Sequence, residues 1–252
     1  MNPLYLKAAA ALLLGSVYLH SADASQLTVE GAVDNPGTHR LEDHARLSDA
    51  IAAAAPMVDA YLLGTSFRRK EAELQQQSLK AGLMYDLSVL KRNESAAVSS
   101  TASAMLTWLG TQPATGRVRQ AIDMRLMQIQ PKNNPELVDG DSLQFPRRPT
   151  TVQVIGAVKA PCILTHSPLK VAAQYASECR HETSADPDYI YIIQADGQVT
   201  RNGIASWNRD DPQAVSPGGR IYIPIAESAA RKVDVHFNDE FATFVSTLAV
   251  SP

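Results

Sequence analysis

The feature that most constrains the fold is an internal repeat whose two copies open with the same pattern. The stretch Leu27–Gly37 reads LTVEGAVDNPG, and the stretch Val152–Cys162 reads VQVIGAVKAPC. Apolar residues alternate in both until a proline interrupts them, a pattern typical of a half-buried strand that enters a hairpin. The closing stretches also match, since Leu137–Pro146 reads LVDGDSLQFP and Val215–Pro224 reads VSPGGRIYIP. The repeat therefore predicts two copies of one small domain.

Each copy is predicted to be a small α+β unit. In the second copy, Pro168–Ala176 places a proline near a helix start and continues with helical apolar spacing. Further on, Asp196–Gly197 is a signal for a tight hairpin between two strands. In the first copy, Leu47–Ala55 supplies the equivalent helix. Each unit thus combines hairpins, one helix and a closing strand.

The boundary between the copies predicts domain 1 over residues 25–149 and domain 2 over residues 150–226. Because domain 1 is the longer of the two, it must hold an insertion, which we place at about 60–110. Helical spacing occurs twice in that range, on either side of a polar break, and predicts a helical hairpin. Its apolar positions are Leu79, Leu83, Leu87 and Leu90, followed by Val98, Thr101, Ala102, Met105 and Leu109.

Residues 1–24 are predicted to be a cleaved secretory signal peptide. Lys7 precedes the apolar run Ala8–Leu19, and Ala22–Ala24 follows as a small-x-small cleavage signal. The run is shorter than the ~20 apolar residues that a membrane-spanning helix needs. An uncleaved anchor and a buried helix are therefore the less favoured alternatives. No cysteine lies at the cleavage point, so the sequence predicts export without a lipid anchor.

The two cysteines of the chain, Cys162 and Cys179, are candidates for a disulfide. An exported protein meets an oxidising compartment, which favours pairing. Spacing alone does not show whether the two side chains meet. Two free buried thiols therefore remain the alternative.

Residues 227–252 are predicted to contain a C-terminal amphipathic helix with Asn238 as its N-cap. One face carries Phe237, Phe241, Phe244, Val245 and Leu248. This face either docks onto the chain's own domain or contacts a partner groove or a membrane surface through Phe241, Phe244 and Leu248. Lysine and arginine are absent after Asn238, which weakens binding to anionic lipid.

Charge and motifs disfavour several classes of function. Lys+Arg 23 against Asp+Glu 26 gives a net charge of -3 at pH 7, so the sequence predicts no nucleic-acid partner. The common hydrolase, metalloprotease, phosphate-loop and C-x-x-C motifs are absent. No two histidines have the spacing of metal ligands on one helix face. We therefore expect no catalytic residues, no metal and no cofactor. Asp139 and Asp141 flank Gly140, where a turn is favoured over a glycosidase pair.

The order of these features resembles the capsule-biosynthesis GfcC family and its exopolysaccharide paralogues. Both copies look like the ligand-binding β-grasp unit of outer-membrane polysaccharide export proteins. Further matching motifs are Thr115–Arg117, Asn134–Asp141 and Arg148–Pro149. The resemblance implies two tandem β-grasp-like domains, the first with a helical insertion. It also implies a periplasmic accessory protein for capsule or exopolysaccharide assembly or export in a Gram-negative bacterium. We expect the protein to act by binding polysaccharide or outer-membrane export proteins.

Arg117 is the leading candidate for a binding residue. It follows a hairpin glycine where the insertion and the sheet would form a crevice, and a guanidinium there can bind a sugar carboxylate or phosphate through two hydrogen bonds. Arg119 and Arg125 follow at even spacing, which predicts that all three side chains share one strand face. A solvated face or structural salt bridges are the alternative.

Two further hypotheses remain open at this level. The first is that four aromatic residues stack on sugar rings, and packing in the core is an equally good explanation of them. These residues are Trp108, Tyr189, Tyr191 and Trp207. The second is a polysaccharide-modifying enzyme that uses Arg117 together with a carboxylate. Since no paired acids are recognisable in the sequence, a binding function is favoured over this enzyme.

Overall fold

The two copies of the repeat fold into two five-stranded sheets with the same strand order. The structure is a computed structural model that describes residues 25–250, so the predicted signal peptide lies outside the described residues. The first sheet contains β1 (Gln26–Gly31), β2 (Gly37–Arg40), β3 (Ser66–Arg68), β4 (Arg117–Val118) and β5 (Asp141–Phe145). The second contains β6 (Thr151–Gly156), β7 (Cys162–Thr165), β8 (Tyr189–Ile193), β9 (Val199–Gly203) and β10 (Arg220–Ile223).

Strand pairing confirms that the two domains are copies of one fold. The order is β2-β1-β5-β3-β4 in the first sheet and β7-β6-β10-β8-β9 in the second. The opening and closing strands pair in parallel in each copy, β1 with β5 and β6 with β10, whereas the other pairs are antiparallel. The predicted α+β class with two tandem β-grasp-like domains is therefore confirmed.

One glycine in each copy explains why the Gly-Ala-Val pattern recurs. Gly31 and Gly156 have φ angles of 98° and 99°, a region that side chains other than glycine rarely adopt. A Cβ at Gly31 would lie 2.0 Å from the carbonyl oxygen of Phe145, and one at Gly156 would lie 2.2 Å from that of Ile223. The opening and closing strands can approach each other only if this position is glycine.

Seven helices of the described chain surround the sheets. They are α1 (Leu47–Ala54), α2 (Lys70–Leu90), α3 (Ala96–Thr111), α4 (Met124–Ile129), α5 (Ala172–Glu178), α6 (Glu227–Ala230) and α7 (Phe237–Ser246). The helices α1 and α5 are equivalent, and α2 with α3 forms the predicted hairpin. The range 60–110 begins too early for the hairpin, because β3 belongs to the sheet. None of the described helices has the length and apolar character needed to span a bilayer.

The helical hairpin packs on domain 2, although its sequence lies within domain 1. Leu87 of α2 and Leu109 of α3 belong to the same buried cluster as the strands of the second sheet and α7. A buried hydrogen bond of 2.7 Å joins the hydroxyl groups of Thr101 on α3 and Ser184 in domain 2. The first sheet and α1 form a separate, smaller cluster. The larger core therefore needs residues from both domains.

Helix α7 lies inside this larger core. The Phe241 ring stacks on Tyr222 of β10 at 4.6 Å between centroids and contacts Trp108 of α3 at 6.0 Å. Phe241, Phe244 and Leu248 are all buried. Helix α7 therefore docks onto its own chain. The expected contact of these three residues with a membrane or partner is wrong, because the protein's own side chains cover them.

Asn238 does not cap α7, contrary to the sequence prediction. The helix begins at Phe237 after the N-cap residue His236. The Asn238 side chain instead donates a hydrogen bond to the carbonyl oxygen of Ile225 and accepts one from the hydroxyl of Tyr222, both at 2.9 Å. A buried amide needs such partners, and here it ties the first turn of α7 to the end of β10.

A disulfide joins β7 to the residue that follows α5. Cys162 and Cys179 have their Cα atoms 6.2 Å apart, a separation typical of disulfides. The bond fastens the helix of domain 2 to an outer strand of its sheet. Neither cysteine is free.

Replacing both cysteines with serine should lower the free energy of unfolding by about 3 kcal/mol, because the bond limits the freedom of the unfolded chain. Urea unfolding of the Cys162→Ser/Cys179→Ser variant and of the wild type measures this difference. The wild type in a reducing agent serves as the control and should behave like the variant. Two thiols that titrate in the native, non-reduced protein would contradict the bond.

Candidate functional site

A crevice of about 360 Å³ lies between α2 of the helical hairpin, β4 of the first sheet and α7. Its walls include Glu71, Gln75, Gln76, Arg117, Arg119, Thr243 and Thr247. This is the place where the sequence predicts a crevice between the insertion and the sheet. The volume lies within the ~300–1,000 Å³ that ligand sites occupy.

Gly116 and Gln76 fix the strand that carries the arginines. Gly116 has a φ of 74°, and a Cβ there would lie 2.4 Å from the carbonyl oxygen of Arg69. The buried Gln76 side chain accepts the N–H of Gly116 and donates to the carbonyl oxygen of Arg117, both at 2.8 Å. These bonds attach β4 to α2. The sequence prediction missed Gln76, because a glutamine within a polar helix face carries no signal of burial.

Arg117 is buried and serves as an internal contact. Only 2% of the residue is exposed to solvent. Nη1 donates to the carbonyl oxygen of Leu248 at 2.9 Å. Nη2 donates to the carbonyl oxygen of Ala195 and to that of Thr65, the latter at 3.5 Å. The prediction that Arg117 is free to bind a sugar carboxylate through both terminal nitrogens is wrong, because domain 1, domain 2 and the C-terminal segment already occupy them.

Arg220 of β10 approaches the same segment from domain 2. Its Nη1 donates to the carbonyl oxygen of Leu248 at 3.3 Å, and its Nη2 donates to that of Ala249 at 2.6 Å. Nε donates to the side chain of Gln153 at 3.1 Å. We call Arg117 and Arg220, with the carbonyl groups that they bind just after α7, the arginine clamp.

Both arginines of the clamp remain charged at neutral pH. Burial lowers the pKa of Arg117 to about 10, an effect that the charge of Asp196 opposes. Burial and the neighbouring charge of Arg117 lower the pKa of Arg220 to about 10. The sequence prediction missed Arg220. An arginine within the apolar closing strand of domain 2 is nevertheless a signal of a buried, hydrogen-bonded cation.

Arg119 is the exposed arginine of the crevice. A Cβ built at Gly197 would lie 3.1 Å from Cγ of Arg119, so the stem of this side chain approaches the β8–β9 turn of domain 2. Within residues 25–250, its guanidinium has no ion-pair or hydrogen-bond partner. Of the three predicted arginines, Arg119 is thus the one that lines the crevice with a guanidinium available to a ligand.

Arg125 does not share a face with the other two arginines. Strand β4 ends at Val118, and Arg125 lies on α4, where Asp123 caps the helix by accepting the N–H groups of Arg125 and Leu126. The side chain is exposed and does not line the crevice. The prediction of one strand face failed because it assumed a longer strand than the chain forms.

The acidic pair at the first closing strand has a structural role. Asp139 accepts the N–H of Gln26 at 2.8 Å. Asp141 is buried, pairs with Arg69 at 3.1 Å and accepts the N–H of Val138 at 3.0 Å. Burial raises the pKa of Asp141, while these two contacts oppose the shift. These contacts support a role of both aspartates in the turn and do not support a glycosidase pair.

The four candidate aromatic residues divide into two pairs. Trp108 packs on Phe241, and Tyr191 is buried in the same core with its hydroxyl donating to Asp239 at 2.7 Å. Trp207 and Tyr189 lie together at the surface of domain 2. Among residues 25–250, no group of three or more potential ligand side chains is placed to hold a metal ion.

Fold and crevice define a two-domain β-grasp-like protein with a polar crevice where the insertion meets the sheet. The family model "Capsule biosynthesis GfcC, N-terminal" matches residues 25–145, and "Capsule biosynthesis GfcC C-terminal" matches residues 164–249. The chain belongs to the capsule-biosynthesis GfcC family. It is also similar to an uncharacterized protein, YjbG, of Escherichia coli (strain K12), with 25% identity over 213 residues that cover 82% of this chain and 78% of that protein.

Arg117→Ala should lower the free energy of unfolding by about 3 kcal/mol, because buried carbonyl groups lose hydrogen bonds from a charged donor. Arg117→Lys should recover only part of that loss, since a single ammonium cannot reproduce the guanidinium geometry. Denaturant unfolding measures both effects. Arg119→Ala, an exposed arginine two positions away, is the matched control and should change stability by less than about 0.5 kcal/mol. Equal stability of Arg117→Ala and this control would contradict the clamp.

Proposed function

We propose that the protein is a periplasmic accessory protein for capsule or exopolysaccharide assembly or export, and that it binds acidic segments of the glycan in the crevice. The observation that carries this proposal is the Arg119 guanidinium, which has no partner among the described residues and lines a crevice whose other arginines are engaged. Membership of the capsule-biosynthesis family supports the process. The predicted signal peptide supports the compartment.

The groups in the crevice suit an acidic sugar. The Arg119 guanidinium can bind a carboxylate or phosphate oxygen pair, as such groups commonly do. Gln75 and Thr243, which also line the crevice, offer an amide and a hydroxyl that can bond to sugar hydroxyl groups. The charge of Arg117, buried in the wall, adds attraction for an anion without direct contact. Glu71 is the opposing acid and disfavours a ligand of high negative charge density.

The position of Arg119 also reduces the entropic cost of binding. Its stem lies against the β8–β9 turn, while β4 is held by Gln76 and by the clamp through Arg117. A side chain whose backbone and stem are already positioned loses less freedom when it binds a ligand. The positioned Arg119 side chain is therefore suited to binding a ligand, and not only to adding charge to a solvated surface.

Arg119→Ala should weaken binding of acidic oligosaccharides about 10- to 150-fold, as expected when one charge-assisted contact of roughly 1.5–3 kcal/mol is lost. The oligosaccharides are prepared from the surface polysaccharide of the producing strain, and calorimetric titration measures the affinity. In a deletion strain, the variant should restore less surface polysaccharide than the wild type does.

Arg125→Ala is the matched control, because it removes the same charge from an exposed position outside the crevice. It should bind and complement like the wild type. Full surface polysaccharide from a stably folded Arg119→Ala protein would remove Arg119 from the site. Cleavage of the glycan by the purified wild type would overturn the binding function itself.

A further inference from the structure

Two surface aromatic rings of domain 2 form a right-angled pair, which we call the aromatic corner. It consists of Trp207 and Tyr189, whose ring planes meet at 89° with centroids 6.4 Å apart. The Arg201 guanidinium lies 3.7 Å from the centroid of the Tyr189 ring, and Glu227 binds that guanidinium in turn. Trp207 is nevertheless 69% exposed. A large apolar ring is thus presented to solvent next to a second ring.

The exposed indole is held in one orientation. Its N–H donates to Oδ1 of Asp188 at 3.1 Å. The same Asp188 accepts, through its backbone carbonyl, the N–H of Ile204 at 2.8 Å and the side-chain amide of Asn208 at 3.1 Å. Trp207 therefore lies on a loop that is bonded to the residue before β8 by Ile204 and Asn208, which precede and follow Trp207 in the sequence.

The loop itself is shaped to keep this geometry. Asn208 accepts the N–H of Ala205 at 3.1 Å, and Asp210 accepts the N–H of Gly203 at 2.7 Å. A Cβ at Gly203 would lie 2.0 Å from the carbonyl oxygen of Asn208, so the close turn of the loop requires glycine. Fixing an exposed side chain in advance lowers the entropic cost of binding. Such support is typical of a functional surface ring.

We infer that the aromatic corner is a second glycan-binding site, which takes an uncharged pyranose ring of the polysaccharide. The apolar C–H face of a pyranose can stack on the Trp207 ring, while its hydroxyl groups reach polar neighbours. Among residues 25–250, Oδ2 of Asp188 has no hydrogen-bond donor, and it is placed to accept a sugar hydroxyl. The inference rests on the proposed function, since it names a second sugar class for the same polymer.

The surroundings favour a sugar over other occupants. Exposed charged residues of both signs follow Trp207 along the chain, namely Arg209, Asp210 and Asp211. Two rings with such charged neighbours form a patch that is too small and too polar for a stable protein interface, which usually has an apolar centre depleted of charge. The adjacent carboxylates disfavour anionic lipid and acidic sugars. The same loop contributes Gly203, Ile204, Arg209 and Asp210 to a pocket of about 320 Å³, which leaves room for neighbouring residues of the glycan.

The chain has two tryptophans, Trp108 and Trp207, so a fluorescence change that is present in the wild type and lost in Trp207→Ala reports on Trp207. Neutral and acidic oligosaccharides are prepared from the producing strain's polysaccharide by mild acid hydrolysis and anion exchange. The neutral fraction should change the fluorescence of the wild type, and calorimetry should show about tenfold or greater loss of affinity in Trp207→Ala. Trp207→Phe should retain part of the binding, because a smaller ring still stacks. Tyr85→Ala is the matched control, since Tyr85 is an aromatic residue with 68% exposure on α2.

Equal binding of the neutral fraction by the wild type and a folded Trp207→Ala would overturn the inference, and so would a wild type that binds no neutral fragment. A fluorescence change with phosphatidylethanolamine–phosphatidylglycerol vesicles, but none with oligosaccharides, would assign Trp207 to a membrane and overturn it as well. Arg119→Ala separates this site from the crevice, because it should leave binding of the neutral fraction unchanged. Loss of acidic binding alone in that variant, with no effect of Trp207→Ala on neutral binding, would retain the proposed function and reject the aromatic corner.

Discussion

The arginine clamp is the interaction on which the rest of this structure depends. Two buried guanidinium groups with lowered pKa values must be compensated, because a charge taken out of water is costly unless it is hydrogen-bonded. Within residues 25–250, three of their six hydrogen bonds go to the carbonyl groups of Leu248 and Ala249, which follow the last turn of α7. A helix C-terminus has carbonyl groups without intrahelical partners and carries partial negative charge, which favours nearby cations. These bonds engage the terminal nitrogens of both arginines, whereas Nε of Arg117 has no hydrogen-bond partner within residues 25–250.

The clamp also connects the fold to the proposed sites. Arg117 belongs to the first sheet and Arg220 to the second, so the segment after α7 is bound by both domains at once. Helix α7 in turn lies in the core that the helical hairpin shares with domain 2. Because β4 leads directly into Arg119, the contacts that bury Arg117 also determine where Arg119 enters the crevice. A buried cation that looks like a binding residue therefore acts by positioning the exposed one.

How far the sequence predicts this structure depends on whether a contact is local or distant. The repeat predicted two equal folds correctly because Gly31 and Gly156 meet the same backbone requirement in each copy. Periodicity likewise predicted the α2–α3 hairpin. It did not predict that the hairpin packs on domain 2, since an apolar face does not name its partner. The orientation of Arg117 was missed for the same reason, because its acceptors lie in three distant parts of the chain. The aromatic residues illustrate the same limit. Trp108 packs against the core and Trp207 lies at the surface, and no local sequence signal separates the two.

Scanning calorimetry of wild-type residues 25–252 tests the role of the clamp most directly. If the clamp and the shared core make the two domains one cooperative unit, a single transition should appear, with the calorimetric enthalpy equal to the van't Hoff enthalpy. Two separate transitions, or a calorimetric enthalpy well above the van't Hoff value, would show that the domains unfold independently. That result would contradict the central role assigned to the arginine clamp.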